Sequence, residues 1–171
     1  SIVDLDLGEV TGKVRFPPVP YNASYALITP SVIAWTLSGL QIVMSDGTLW
    51  KVFENEAVPR KGSAVLPGTA LTAPRNMAAT PGGEYAIVLA GNGTAYLFDA
   101  SADDFVLSQS VVSGAIQGYY GPLAAGPRGQ YYAVNGMILN STLTPIAGAT
   151  QGTTTQPGMQ PGSATVTAMC A

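Results

Sequence analysis

Two stretches of the chain, 42–53 (IVMSDGTLWKVF) and 87–98 (IVLAGNGTAYLF), share one plan: an apolar run, a glycine-containing turn, and a second run that ends in an aromatic residue. Gly47 and Gly93 lie 46 residues apart, and a weaker third copy at 131–140 (YYAVNGMILN) places Gly136 a further 43 along. The flanks keep the same step. ATPGGEY at 79–85 answers AGPRGQY at 125–131, so Pro81 and Pro127 are 46 apart, as are Tyr85 and Tyr131. In the first copy the matching stretch, Ala34–Gly39 (AWTLSG), lacks the proline. A fixed internal period of this length marks a chain that stacks copies of one supersecondary unit.

The units alternate as strands do. In GTLWKVF, Leu49, Lys51 and Phe53 share one face, and Trp50 and Val52 the other; in GTAYLFD, Tyr96 and Phe98 share a face. Asp46-Gly47, Asn92-Gly93 and Asn135-Gly136 are hairpin signals, because Asx and Gly both tolerate positive φ. Proline and glycine recur every few residues, which leaves no room for a helix of ordinary length. A period near 45 with several short strands per unit matches a propeller blade. The expected fold is therefore all-β, with about three four-stranded antiparallel propeller-like blades, a partial propeller, over 1–147. The units run about 39–83, 84–128 and 129–147 onward. One unit reads as strands at Glu84–Leu89, Thr94–Phe98, Phe105–Val112 and Leu123–Ala125, with a polar loop at Ala100–Asp104 and a Gly/Tyr-rich connection at Gly114–Gly121.

The pair PGGEYAIV and GNGTAYLFD at 81–99 resembles the blades of bacterial β-propeller repeat proteins of the YVTN or quinoprotein-like type. The resemblance covers about residues 20–147, and its motifs mark strand-turn-strand units without any catalytic residue. It implies a secreted or surface-attached binding or scaffolding module. WD40 signatures are absent: the chain has no histidine and no Trp-Asp pair.

The ends read differently. Residues 1–16 (SIVDLDLGEVTGKVRF) alternate as strands, which puts Asp4 and Asp6 on one face. Residues 148–163 (GATQGTTTQPGMQPGS) are a polar Gly/Thr/Gln/Pro loop or linker, and 164–171 (ATVTAMCA) returns to the composition of a terminal strand. Propellers close with four or more blades. Three and a fraction leave open strand edges that pair with other chains. Three explanations stand side by side: a piece of a longer propeller, completion by neighbouring copies, or a sandwich or irregular barrel.

Composition narrows the chemistry. The chain is 47% hydrophobic and only 10% charged, which suits a packed core and excludes ordinary disorder. A net charge of −3 argues against a nucleic-acid partner, which needs a basic footprint. The most apolar stretch, Tyr25–Leu37, is interrupted by Thr29, Pro30, Ser31 and Thr36 and is too short to span a bilayer. The lack of histidine removes Ser-His-Asp and Cys-His nucleophiles and histidine metal ligation. No S-x-x-K arrangement is present, and no cofactor motif is found: Gly91–Thr94 lacks the G-K-[ST] of a phosphate loop.

The remaining candidates each have a plainer structural reading. Asp99, Asp103 and Asp104 form the densest acidic cluster, a cation site or else a polar turn. Asn22, Asn92 and Asn140 head N-x-[ST] sequons, glycosylation acceptors or else ordinary turn residues. Tyr119, Tyr120, Tyr131, Tyr132, Trp35 and Trp50 offer an aromatic carbohydrate platform or else inter-blade packing. Cys170, the lone cysteine, is a free thiol or an intermolecular bridge. The expectation is a non-catalytic extracellular or cell-surface module that binds protein chains, copies of itself included. The alternatives are a carbohydrate- or small-ligand-binding propeller and a fragment of a propeller enzyme.

Overall fold

The computed structural model describes residues 1–16, 27–60, 63, 65–66, 70–116 and 120–148. Cys170, the strand expected at 164–171, all of the 148–163 loop but Gly148, Tyr119 and Asn22 lie outside the described residues. The fold is all-β. A small hairpin of β1 (Ile2–Asp4) and β2 (Glu9–Gly12) precedes three four-stranded antiparallel meanders. Sheet I holds β3 (Pro30–Thr36), β4 (Gly39–Met44), β5 (Leu49–Phe53) and β6 (Glu56–Pro59). Sheet II holds β7 (Pro74–Ala79), β8 (Tyr85–Ala90), β9 (Thr94–Asp99) and β10 (Asp104–Ser110). Sheet III holds β11 (Leu123–Ala125), β12 (Tyr131–Val134), β13 (Met137–Asn140) and β14 (Pro145–Ala147). Among the described residues the sole helical element is one 3₁₀ turn, Pro127–Gly129, and no helix is long and apolar enough to cross a membrane.

The phase of the units differs from the sequence expectation. Each sheet begins one strand earlier than the 39–83 and 84–128 units, because β3 and β7 lie ahead of the turns that define the period. Leu123–Ala125 is correspondingly not the fourth strand of the second sheet. It pairs with β12, Leu123 opposite Val134, and so opens the third. At the N-terminus Asp4 and Asp6 do not share a strand face. The Asp4 carboxylate accepts the backbone N–H groups of Asp6 and Leu7 at 2.9 and 3.1 Å, an Asx turn that ends β1 at Asp4.

Sheets I, II and III touch chiefly through their first strands, β3 against β7 and β7 against β11. Sheet II lies in the middle and is buried on both faces. Ala86, Val88, Ala90, Tyr96 and Phe98 pack toward sheet I, with Ala34, Val43 and Leu49. Ile87, Leu89, Ala95 and Leu97 pack toward sheet III, with Tyr132, Val134, Met137 and Leu139. This is why β8 reads as an unbroken apolar run, with every residue from Ala86 to Ala90 buried. Phe98 and Phe105 meet edge-on at 5.4 Å inside the first of these cores.

The turn between the second and third strands of each sheet carries the glycines of the period. Asn135 and Gly136 both have positive φ (45° and 84°), the two-residue hairpin that Asn-Gly signals. At the other two turns only the glycine does, Gly47 at 84° and Gly93 at 83°, and the Asx residue works through its side chain. Asp46 Oδ1 accepts the N–H and hydroxyl of Thr48 at 3.0 and 2.7 Å, and Asn92 Oδ1 accepts the N–H of Thr94 at 3.1 Å. These glycines also admit a close neighbour. A Cβ on Gly47 would lie 1.8 Å from the Leu71 carbonyl oxygen, and one on Gly93 would lie 2.2 Å from that of Val112.

Gly47→Ala is therefore expected to cost about 3 kcal/mol or more, positive-φ strain added to a backbone overlap. Gly8→Ala, at φ 66° with nothing within 4 Å of the new methyl, is expected to cost about 1 kcal/mol. Urea midpoints of the two variants check the order. Equal midpoints would mean that the Leu71 approach is not part of the folded state.

Candidate interaction surface

Register places the first strands so that each presents a large apolar residue on one face and an alanine on the other. Ile33 pairs with Ile42 and through it with Trp50; Met77 with Val88 and Tyr96; Leu123 with Val134 and Met137. These three triplets look toward the N-terminal side of the stack. On the opposite faces Ala34 leads to Gln41 and Lys51, Ala78 to Ile87 and Leu97, and Ala124 to Ala133 and Ile138. Between sheets I and II, Met77 packs in one core with Ala34. Between sheets II and III, Leu123 packs in one core with Ala78. The face of one first strand that carries the large residue thus shares a core with the face of its neighbour that carries the alanine.

Two outer faces remain. On sheet I, Ile42, Met44, Trp50 and Ala57 are covered by Val14 and Phe16, whose segment is held by Arg15. Arg15 N–H donates to the Asn55 carbonyl and its own carbonyl accepts from Ala57 N–H, both at 2.8 Å, and the Phe16 ring sits 6.1 Å from that of Trp50. Among the described residues that cover, which Ile28 joins, leaves Ile33 57% and Trp35 66% exposed on β3. Both border a groove of about 370 Å³ closed on its far side by Met77 and the turn at Pro81–Gly83. On sheet III the outer face carries Ala124 and Ile138, both partly exposed, and no described residue forms a core against them.

The sequence candidates take the following places. Trp50 and Tyr132 are buried and Tyr120 and Tyr131 partly so, which disperses the aromatic platform and leaves Trp35 as its exposed member among the described residues. Burial, with the nearby Tyr85 and Asp99 adding to it, raises the Tyr132 hydroxyl well above the usual tyrosine value. Asn92 and Asn140 both cap turns through Oδ1. Asn140 accepts the N–H of Thr142, the Thr142 hydroxyl and the N–H of Thr144 at 3.0, 2.8 and 2.9 Å.

The three acidic residues are used separately. Asp99 Oδ1 accepts the N–H and hydroxyl of Ser101 at 2.8 and 2.7 Å, and Asp104 Oδ1 accepts Phe105 N–H at 2.7 Å. Asp103 is an ion-pair partner instead. Lys51 Nζ donates to both its oxygens at 3.1 Å, Arg60 Nη1 donates to Oδ1 at 3.1 Å, and Arg60 Nη2 donates to its carbonyl. Among the described residues no group of three or more His, Cys, Asp or Glu is arranged to hold a metal.

Asp103 thereby clamps sheet II to sheet I. Arg60 also donates to Gln41 Oε1 at 2.9 Å, and its guanidinium lies 5.1 Å from the centre of the Phe98 ring. Partial burial pushes the Asp103 carboxyl up, but hydrogen bonds from Arg60, Lys51 and Ser38 and the Arg60 charge outweigh it and hold the group below the usual aspartate value. The Asp103 side chain is 46% exposed, so each pair is worth no more than about 1 kcal/mol and the clamp sets register rather than overall stability.

No family model matches the chain, and no curated protein matches its sequence. Among solved structures it is similar to apo AztD from Citrobacter koseri, at 11% identity and a TM-score of 0.37, over 70% of this chain and 46% of that one. The chain thus spans about half the length of that protein. A likeness at this level carries no functional argument.

Asp103→Asn is expected to lower stability by about 1 kcal/mol at neutral pH. Because the folded pKa lies below the unfolded one, the stabilisation is complete above the usual aspartate range and is lost as pH falls through the depressed value. The gap between parent and variant should therefore close in acid. Urea titrations from neutral pH downward check this; a gap that stays constant into acid would contradict the clamp.

Proposed function

We propose that the chain is a non-catalytic protein-interaction module, a partial propeller-like stack similar to YVTN or quinoprotein-like blades, acting outside the cell or on its surface. The observation that carries the reading is the exposed strip of Ile33 and Trp35 on β3, beside the groove that Met77 and the Pro81–Gly83 turn line. Exposed apolar side chains that lie together mark interaction sites, and tryptophan is over-represented among the residues that dominate binding energy. The low charge and the resemblance in the blade motifs support the surface location. Sugar recognition gains less support, since a stacking platform needs several exposed rings and Trp35 has an isoleucine beside it.

A photo-cross-linking residue placed at position 35 tests the reading, both in the concentrated pure chain and in an extract of the source cells. Position 106, also exposed but on the outermost strand of sheet II, serves as the control. The expected result is a covalent protein adduct at 35 and none at 106. Absence of any protein adduct at 35, together with glycan binding that Trp35→Ala abolishes, would replace this reading with a carbohydrate-binding one.

A further inference from the structure

Sheet I has two edges, and one of them already takes an added strand. Arg15 N–H donates to the Asn55 carbonyl and the Arg15 carbonyl accepts from Ala57 N–H, so this residue lies parallel along β6. The other edge is β3, and register fixes where its backbone groups point. Alternate residues of β4 bond to opposite sides: Met44 N–H donates to the Thr48 carbonyl on the β5 side, and Ser45 N–H donates to the Thr29 carbonyl on the β3 side. Leu40 and Ile42 share the direction of Met44, and they are the partners of Trp35 and Ile33. The N–H and C=O groups of Ile33 and Trp35 therefore point away from β4. In β7 the same arrangement recurs. Thr80 N–H donates to the Tyr85 carbonyl, which puts Thr80 and Ala78 in the bonded positions and turns the backbone groups of Met77 and Ala79 outward.

These four residues belong to the two walls of the 370 Å³ groove. The walls are joined at Gly83, whose carbonyl accepts Leu37 N–H at 2.8 Å; among the described residues this is the one backbone bond between them. Each wall thus offers donors and acceptors that repeat every second residue, at about 7 Å, beside apolar side chains. An extended peptide backbone carries the complementary pattern at the same repeat. The turn end of the groove is acidic. The Glu84 carboxylate lies over Gly82, where an added Cβ would be 2.5 Å from Oε1, and Oε2 accepts the Thr80 hydroxyl at 2.8 Å. Arg128, whose charge also reaches Glu84, forms no salt bridge with it among the described residues.

We propose, resting on the interaction reading above, that the partner enters as an extended segment of another protein that pairs with the outward edge of β3 and becomes a further strand of sheet I. Its backbone bonds to the N–H and C=O groups of Ile33 and Trp35. Its alternate side chains pack beside Ile33 and Trp35 on one face and toward Ala34 and Met77 on the other, and a basic residue at its end meets Glu84. The added ladder continues that of sheet I, on the edge opposite Arg15.

Fluorescence anisotropy on the full chain, with a labelled peptide of four Val-Thr repeats ending in lysine, tests this. The peptide is expected to bind saturably. Ile33→Pro removes one outward N–H and spares the β3–β4 bonds, because proline is tolerated where an edge N–H faces out. Ile33→Ala shortens the side chain and keeps the N–H. The proline variant, its folding verified by circular dichroism, is expected to bind at least about tenfold more weakly than the alanine variant. Where it fails to fold, the parent is tested with the peptide N-methylated at every residue, which is expected not to bind. No binding of the unmodified peptide at millimolar concentration overturns the proposal, as does equal affinity of the two variants or retained binding after N-methylation. Glutamate in place of the terminal lysine is expected to weaken binding, and equal binding overturns the assignment of the basic end to Glu84. If position 35 cross-links a protein while the peptide does not bind, the interaction reading stands and strand addition alone falls; absence of both fells both.

Discussion

The structure depends on one constraint above the others: sheet II is apolar on both faces. A four-stranded meander with one apolar face can lie against a single partner and stop. With Ala86, Val88, Phe98 and Tyr96 on one side and Ile87, Leu89, Ala95 and Leu97 on the other, sheet II has to be enclosed. Sheets I and III are the enclosure. At about 25 cal/mol per Å² of apolar surface withdrawn from water, this double burial outweighs the roughly 1 kcal/mol that any exposed ion pair supplies. Truncating Phe98, which touches both the aromatic pair with Phe105 and the Arg60 guanidinium, would act at the middle of that enclosure.

Much of this was legible in the sequence. The alternation in GTLWKVF and GTAYLFD places Trp50, Tyr96 and Phe98 on the faces where the structure has them, and the Asx-Gly steps mark the turns between the second and third strands of all three sheets. The class, all-β in four-stranded antiparallel sheets, follows from those signals. The sheet boundaries did not, because a turn motif fixes where two strands meet and says nothing about which neighbouring strand joins them. Leu123–Ala125 is short and apolar, equally suited to ending one sheet or opening another, and only its pairing with Tyr132–Val134 decides. Asp4 and Asp6 were misplaced for a different reason. Strand alternation was extended through a residue whose side chain can bond its own backbone two residues on, and it did.

The candidate surface was the least legible part. Ile33-Ala34, Met77-Ala78 and Leu123-Ala124 recur at steps of 44 and 46, and the pattern stands in the sequence. Its meaning needs three dimensions, since nothing in the string says which face of one sheet meets which face of the next. The acidic cluster shows the converse. Asp99, Asp103 and Asp104 are close in sequence, yet Asp103 belongs to Lys51 and Arg60 of another sheet while the other two serve their own turns. Long-range pairing of this kind leaves no local mark.

Native-state hydrogen exchange measures the central claim most directly. If sheet II is the enclosed element on which the others depend, amides of β8 and β9 should exchange only through global unfolding, at the slowest rates in the chain. Amides of sheets I and III should open at lower free energy, and those of the β1–β2 hairpin lower still. Protection that is greatest in sheet I or sheet III, or equal in all three, would contradict the account.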